Sequence, residues 1–186
     1  MSKLILASGS PRRRELLGTA GLEFEVIVAD VEEKISEGAA PQDVVKALAL
    51  QKAQAVAQLH PDCTVIGADT VVVSDGKILG KPKSEADAAE MLGSLSGRVH
   101  KVCTGVALIN GDKIKNFCET TEVEFHNLTA EEIENYVKTG EPMDKAGAYG
   151  IQGKGCVLVK RISGDYFNVV GLPVSRVYRE LGDFDV

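Results

Sequence analysis

Apolar and polar residues alternate along this chain with two periods, and each period marks its own elements. The run Lys3–Ala7 reads as a short strand, followed by Ser8-Gly9-Ser10-Pro11 and a helix. Ser10 is a fitting N-cap, and Pro11 suits the first helical position, where an amide proton would go unpaired anyway. Leu16, Leu17 and Ala20 form the apolar face of that helix, and Gly21 ends it. Phe24–Val28 reads as a second strand. The longest helical pattern runs from Pro41 to Leu59, with an apolar stripe of Val45, Leu48, Ala55, Val56 and Leu59.

Residues rich in β-branching mark strands at Cys63–Ala68 and Val71–Val73, and Asp75-Gly76 supplies a hairpin turn before Ile78 and Leu79. Ser84 caps a helix that buries Ala88, Met91, Leu92 and Leu95 and stops at Gly97. Val99–Ile109 and Ile114–Phe125 read as long strands about the turn Asn110-Gly111. Thr129 and Glu132 make a capping box with Leu128 and Ile133 as its staple, and this helix stops at Gly140. Strands are predicted at Cys156–Ile162 and Phe167–Val170, flanking Gly164-Asp165, with a last helix from near Pro173. The order predicts an α/β (mixed α+β) chain with a mixed sheet and several hairpins. A clean Rossmann alternation is not what the pattern spells.

Composition narrows the class. At 186 residues the chain is one domain, 1–186, and 44% hydrophobic with 26% charged residues can bury a real core. The formal charge of −6 disfavours duplex nucleic acid as a partner, which would demand a basic face. With no Trp, four Tyr and five Phe, little is available to stack single-stranded bases. No apolar run approaches the ~18 residues of a membrane span, and the N-terminal run is too short for a signal sequence, so the chain reads as cytoplasmic. Cys63, Cys103, Cys118 and Cys156 are widely spaced and read as small core hydrophobes, while His60, His100 and His126 show no ligand spacing. Any metal is then a hard cation held by carboxylates and phosphate.

Four stretches carry chemistry. In Ser8-Gly9-Ser10-Pro11-Arg12-Arg13-Arg14 a strand ends, a small-residue loop follows, and a helix begins with its unpaired amides outward. That end of a helix attracts anions, and guanidinium forks stand beside it, so a polyphosphate is the natural ligand. Arg13 falls on the same side as Leu16 and Leu17, facing inward. No Walker or dinucleotide fingerprint occurs, so phosphate is bound by another device. Asp69, inside Val65–Val73, is either an Asp turning a corner between two strands or a general base or metal ligand at the end of a core strand. Gly67 and Ala68 leave room beside it for a ligand or another backbone. Lys52 sits on an apolar helical stripe, where it either snorkels or, like Lys81 in Leu79-Gly80-Lys81-Pro82, neutralises phosphate. Glu32 and Glu33 offer a second carboxylate for a cation. The segment Asp144–Gly155 holds four glycines in nine residues and reads as a shaped loop without helix. Its Gln152 amide suits a base edge or a phosphate oxygen equally.

Together these stretches resemble one family along essentially the whole chain. The residues concerned are Leu6-Ala7-Ser8-Gly9-Ser10-Pro11-Arg12-Arg13 with Glu15-Leu16-Leu17, then Gly67-Ala68-Asp69-Thr70, Leu79-Gly80-Lys81-Pro82 and Leu95-Ser96-Gly97. Asp144-Lys145-Ala146-Gly147-Ala148-Tyr149-Gly150-Ile151-Gln152-Gly153 and Val170-Gly171-Leu172-Pro173 complete the set. In that order they resemble the Maf proteins, nucleoside triphosphate pyrophosphatases once described as septum-formation inhibitors. The resemblance implies a two-lobed fold akin to the inosine triphosphate pyrophosphatases, with a mixed twisted sheet, flanking helices and a central cleft. It also implies a divalent cation, Mg²⁺ or Mn²⁺, and often a homodimer.

By the same resemblance Asp69 is the proton acceptor, and Arg12, Thr70 and Gln152 match positions that separate the family's branches. That combination is similar to the branch acting on dTTP, UTP and modified pyrimidine triphosphates, with the 7-methyl-GTP branch as the alternative. Ser8, Arg13, Glu33, Lys52 and Lys81 match residues lining the family's cleft, and Glu33 joins Asp69 as the expected cation ligand. The reaction expected is attack of water at the α-phosphate, releasing pyrophosphate and a nucleoside monophosphate. A nucleotide-binding regulator of division with incidental hydrolysis is the rival from another class.

Overall fold

The computed structural model describes every residue except Met1, Ala29, Glu37 and Asp185. The described residues form a seven-stranded sheet in the order β2-β1-β3-β5-β6-β7, with β4 paired to β3. The strands are β1 (Lys3–Leu6), β2 (Glu25–Val26), β3 (Cys63–Ser74), β4 (Lys77–Leu79), β5 (Val99–Asn110), β6 (Lys113–Phe125) and β7 (Val159–Ser163). The helices are α1 (Pro11–Thr19), α2 (Pro41–Ala57), α3 (Glu85–Leu95), α4 (Ala130–Val137), α5 (Tyr166–Val170) and α6 (Val174–Leu181). The sheet is mixed, as expected: β1 runs parallel to β2 and β3, while β4 on β3 and β7 on β6 are antiparallel. Two compact units divide the chain. The first holds Met1–Thr70, Thr104–Glu119 and Gly171–Val186, and the second Val71–Cys103 and Thr120–Val170.

In the first unit, β1 and β3 align Ile5 with Val65 and Leu6 with Ile66, all of them buried. Ala49, Ala53 and Val56 of α2 pack on this core with Ala107 and Ile109. Helix and sheet meet closely because β3 carries Gly67: a Cβ there would run into the Ala49 carbonyl and come within 2.8 Å of the Ala53 amide. The room that the sequence left beside Asp69 is therefore filled by another backbone. Leu59, expected on the apolar stripe, lies past the end of α2 and is 76% exposed, so Ala49 and Ala53 carry the buried face instead.

In the second unit, Leu92 and Leu95 of α3 pack with Val102, Val123, Phe125, Tyr136 and Tyr149. Phe125, Tyr149 and His100 meet edge to face, with ring centroids 4.7 to 5.3 Å apart. Ser84 caps α3 through the Asp87 amide, and Thr129 and Glu132 close the expected capping box at α4. The hairpin at Asp75-Gly76 has positive φ at both residues, 49° and 76°.

Several sequence expectations are corrected. Phe24–Val28 yields only the two-residue β2. Cys63–Ala68 and Val71–Val73 are one strand, so Asp69 does not turn a corner. Phe167–Val170 is helical, within α5, because Asp165 Oδ1 accepts the Phe167 amide and starts a turn that seats Asn168 against Val102 and Thr121. Cys156–Leu158 belongs to a 3₁₀ turn, and β7 begins only at Val159. The glycine-rich stretch contains short 3₁₀ helices, Glu141–Asp144, Ala146–Ala148 and Lys154–Leu158, where none was expected. Of the cysteines only Cys103 is buried; Cys63 and Cys118 are half-buried and Cys156 is exposed.

Candidate active site

The site grows from the end of β1. Ser10 caps α1 by accepting the Arg13 amide, and Pro11 occupies the first helical position. The Ser8 hydroxyl accepts the Ser10 amide at 3.3 Å, which holds the loop ahead of the helix. Arg13 then turns inward, as its place beside Leu16 and Leu17 requires. Its Nε donates to the Gly171 carbonyl at 2.8 Å, Nη1 to Ser8 Oγ at 3.0 Å and Nη2 to Thr70 Oγ1 at 3.0 Å. Three of the five guanidinium N–H groups are thereby engaged with the protein itself. Burial draws the Arg13 guanidinium below its ordinary value; the Asp69 carboxylate opposes that shift and the neighbouring Arg12 charge adds to it.

Thr70 is the meeting point. Its hydroxyl accepts from Arg13, lies 2.9 Å from Thr104 Oγ1 and can donate to the Gly171 carbonyl at 3.3 Å. Having one proton, it donates to one of these oxygens at a time. The residue before it, Asp69, stands in mid-strand with its side chain 17% exposed. Lys52 of α2 reaches it: Nζ donates to Asp69 Oδ1 at 2.6 Å and pairs with Glu33 Oε1 at 2.9 Å. Lys52, 18% exposed, therefore does not snorkel to solvent. A half-buried charge in an apolar strand is tolerable because its partner arrives from the preceding helix.

Glu33 lies in a stretch without regular structure, and α2 holds that stretch too. The Gln51 side chain accepts the Lys34 amide at 2.9 Å and donates to the Lys34 carbonyl at 2.7 Å. The two carboxylates thus converge on one ammonium nitrogen. Hard oxygens gathered about one cationic point are a donor set that suits a hard divalent cation.

Ser8, Arg13, Glu33, Lys52, Asp69 and Thr70 are brought together within the first unit, and Arg12, half-buried, stands next to Arg13. Lys81 and Gln152 belong to the second unit, where both are exposed. Sequence reasoning missed Thr104, the Gly171 carbonyl, Gln51 and Glu141. Thr104 had a signal, a polar residue inside Val102-Cys103-Thr104-Gly105-Val106 like Asp69 inside its own strand. Gln51 had none, since its bond to Lys34 depends on how the loop lies on the helix.

The profile of the family described as Maf-like protein matches residues 3–184. A protein of Bacillus cytotoxicus named dTTP/UTP pyrophosphatase is 58% identical over 185 residues, covering 100% of this chain and 97% of its own length. Its namesake from Bacillus thuringiensis subsp. konkukian is 58% identical over 186 residues, with the same coverage. Among solved structures, the Staphylococcus aureus Ham1 protein aligns with a TM-score of 0.49 and 20% identity over 67% of this chain and 72% of its own. With the family profile running from Lys3 to Phe184 and such relatives along its whole length, the chain belongs to the Maf-like protein family.

Proposed function

We propose that this protein is a dTTP/UTP pyrophosphatase, cleaving the bond between the α- and β-phosphates to leave a nucleoside monophosphate and pyrophosphate. The observation that carries the chemistry is Asp69, a carboxylate of limited exposure in mid-strand, held by Lys52 and adjoining the threonine that Arg13 grips. The assignment of substrate rests on the whole-length relatives that bear that name.

In this reading Asp69 accepts the proton of a water as its oxygen attacks the α-phosphorus. The bond to the β-phosphate oxygen breaks and pyrophosphate departs with the electron pair. Lys52 holds the Asp69 carboxylate in place through Oδ1, 2.6 Å away, so that little reorganisation is needed. Arg12, Lys81 and the remaining N–H groups of Arg13 offset charge on the triphosphate, with Ser8 supporting the loop. Thr70 and Gln152 select the nucleotide, Gln152 through its amide against the pyrimidine edge. A divalent cation, Mg²⁺ or Mn²⁺, would be held by Asp69 and Glu33 and would neutralise phosphate charge. Among the described residues no group of three or more His, Cys, Asp or Glu gathers, so phosphate oxygens and water would complete its shell. No helix among the described residues is long and apolar enough to cross a membrane. We take the working state to be a cytoplasmic enzyme, and a homodimer.

The test is pyrophosphate release from standard and methylated nucleoside triphosphates, with Mg²⁺, with Mn²⁺ and with chelator. Metal-dependent cleavage of dTTP and UTP to monophosphates is expected. Preference for 7-methyl-GTP would overturn the base assignment while keeping the chemistry. Nucleotide binding without release under any condition would overturn hydrolysis and favour the regulator.

A further inference from the structure

The second unit contains a polar centre that the reaction does not use. Glu141 opens the 3₁₀ turn after α4, and its carboxylate faces back towards the glycine-rich stretch. Oε1 accepts the Tyr136 hydroxyl at 2.9 Å and the Gly155 amide at 3.1 Å, while Oε2 accepts the Lys154 amide at 2.8 Å. Tyr136 Oη in turn accepts the Gly150 amide at 3.0 Å. The far end of the turn is tied by Lys145, whose Nζ donates to the Glu141 carbonyl at 2.7 Å. The backbone amides at positions 150, 154 and 155 therefore all lead to one carboxylate, directly or through one phenol. Gln152 stands between these anchored ends, exposed and in a turn.

The chain wraps tightly enough that a Cβ at Gly153 would meet the Glu141 carboxylate and oblige it to shift. Burial by itself would raise the Glu141 carboxyl, yet the Lys154 and Gly155 amides, the Tyr136 hydroxyl and Lys145 outweigh it and hold it below the carboxylate range. An ionised acceptor facing amides makes stronger hydrogen bonds than neutral partners do. A loop of glycines has the most backbone freedom to lose, so something must hold it if its tip is to select anything.

We propose that Glu141, with Tyr136, is a positioning residue for nucleobase selection: it fixes the Gly150–Gly155 segment so that the Gln152 amide is presented in one orientation. The proposal rests on the reading that Gln152 meets the base. Glu141 touches no reacting atom, so its effect falls on KM and on discrimination between nucleotides. Glu141→Gln is the direct test. It keeps the size of the side chain but has one carbonyl oxygen and an NH₂ group, so at least one of the three donors now faces another donor.

Steady-state kinetics with dTTP, UTP and the other standard triphosphates should show KM for dTTP and UTP raised about tenfold in Glu141→Gln, kcat within about threefold, and preference reduced about tenfold. Tyr136→Phe, which removes the hydroxyl that links Glu141 to the Gly150 amide but leaves the Lys154 and Gly155 amides held, should move the same quantities about threefold and serves if Glu141→Gln does not fold. In a Gln152→Ala background, Glu141→Gln should change discrimination no further, because its effect passes through that amide. A fall in kcat shared equally by all nucleotides, or additive losses in the double variant, would overturn the proposal. If Gln152→Ala alone leaves preference intact, the base-reading role of Gln152 fails and the Glu141 proposal falls with it. If Gln152→Ala shifts preference and neither Glu141→Gln nor Tyr136→Phe does, only the Glu141 proposal falls.

Discussion

Two polar centres hold this molecule's functional segments, and they are built in opposite ways. Arg13 is a cation that donates to oxygens at positions 8, 70 and 171, one of them close by and two of them 57 and 158 residues away. Glu141 is an anion that accepts from Tyr136, Lys154 and Gly155, its farthest partner only 14 residues away. The first exists only when β1, α1, β3 and the start of α6's approach are all in place, so it reports the complete fold of its unit. The second closes within one local stretch, so it can loosen while the sheet beneath it stays folded. The lesson is a division of labour. In the proposed function, the atoms assigned to the reacting phosphorus are held mainly by contacts between elements far apart in the chain, which do not yield singly. The tip to which we assign base selection is held by short-range contacts, where modest changes should retune preference without undoing the core.

The largest expected effect comes from Asp69, the residue before Thr70 of the first centre. Asp69→Asn keeps the shape but removes the proposed proton acceptor, and turnover should fall about 10³-fold with nucleotide affinity largely retained. Pyrophosphate release and calorimetric binding, run side by side, check both halves; near wild-type kcat would sink the role of Asp69.

The interior of the second unit supplies the next contrast. His100 is 2% exposed, its Nε2 lies 2.8 Å from the Tyr149 hydroxyl, and its Nδ1 has no partner among the described residues. Burial pushes its pKa down to about 4, against 6.5 when exposed. Below pH 6.5 the unfolded chain binds a proton that the folded chain refuses. The stabilisation is therefore complete above that value and is lost as pH falls towards about 4, up to about 3 kcal/mol in all. Urea titrations between pH 7 and pH 4 should show this slope in the wild type and lack it in His100→Gln; equal slopes would show that His100 titrates normally.

Arg13→Lys retains charge without the fork, so Ser8, Thr70 and Gly171 cannot all be served. It should cost about 2 kcal/mol of stability and lower kcat as well. Denaturation midpoints and kcat measured on one preparation test whether the two fall together, as a long-range centre demands; a change in kcat with unaltered stability would contradict that. The smallest effect is expected from Thr104→Val, which deletes one of the two oxygens beside Thr70 while the Gly171 carbonyl remains. About 1 kcal/mol of stability should go, with little change in nucleotide preference. A marked loss of preference would make Thr104 part of recognition rather than a prop for Thr70.

Much of the fold was legible because its signals are local. The caps at Ser10, Ser84 and Thr129 need only residues three positions apart, and the Asp75-Gly76 turn needs only its own φ angles. Phe167–Val170 misled because four residues of strand-like composition carry no information about Asp165 capping them or about Asn168 reaching Val102 and Thr121. Cys156–Leu158 misled for the same reason, as the Glu141 carboxylate takes the Lys154 and Gly155 amides just ahead of it. Asp69 attracted notice as a charge in an apolar run, but its place in mid-strand could not be read without Lys52 and Glu33 beside it.

By itself the sequence determined the caps at Ser10, Ser84 and Thr129, the turns at Asp75-Gly76 and Asn110-Gly111, the family and the residue types from which the site is made. These follow from nearest-neighbour chemistry and from motifs that survive as strings. Only the tertiary structure decided that Arg13 is engaged by Ser8, Thr70 and Gly171, that Lys52 joins two carboxylates, and that Glu141 anchors the segment bearing Gln152. The physical reason is the same in each case. A half-buried charge must find partners wherever packing brings them, and which partners those are depends on the path of the chain.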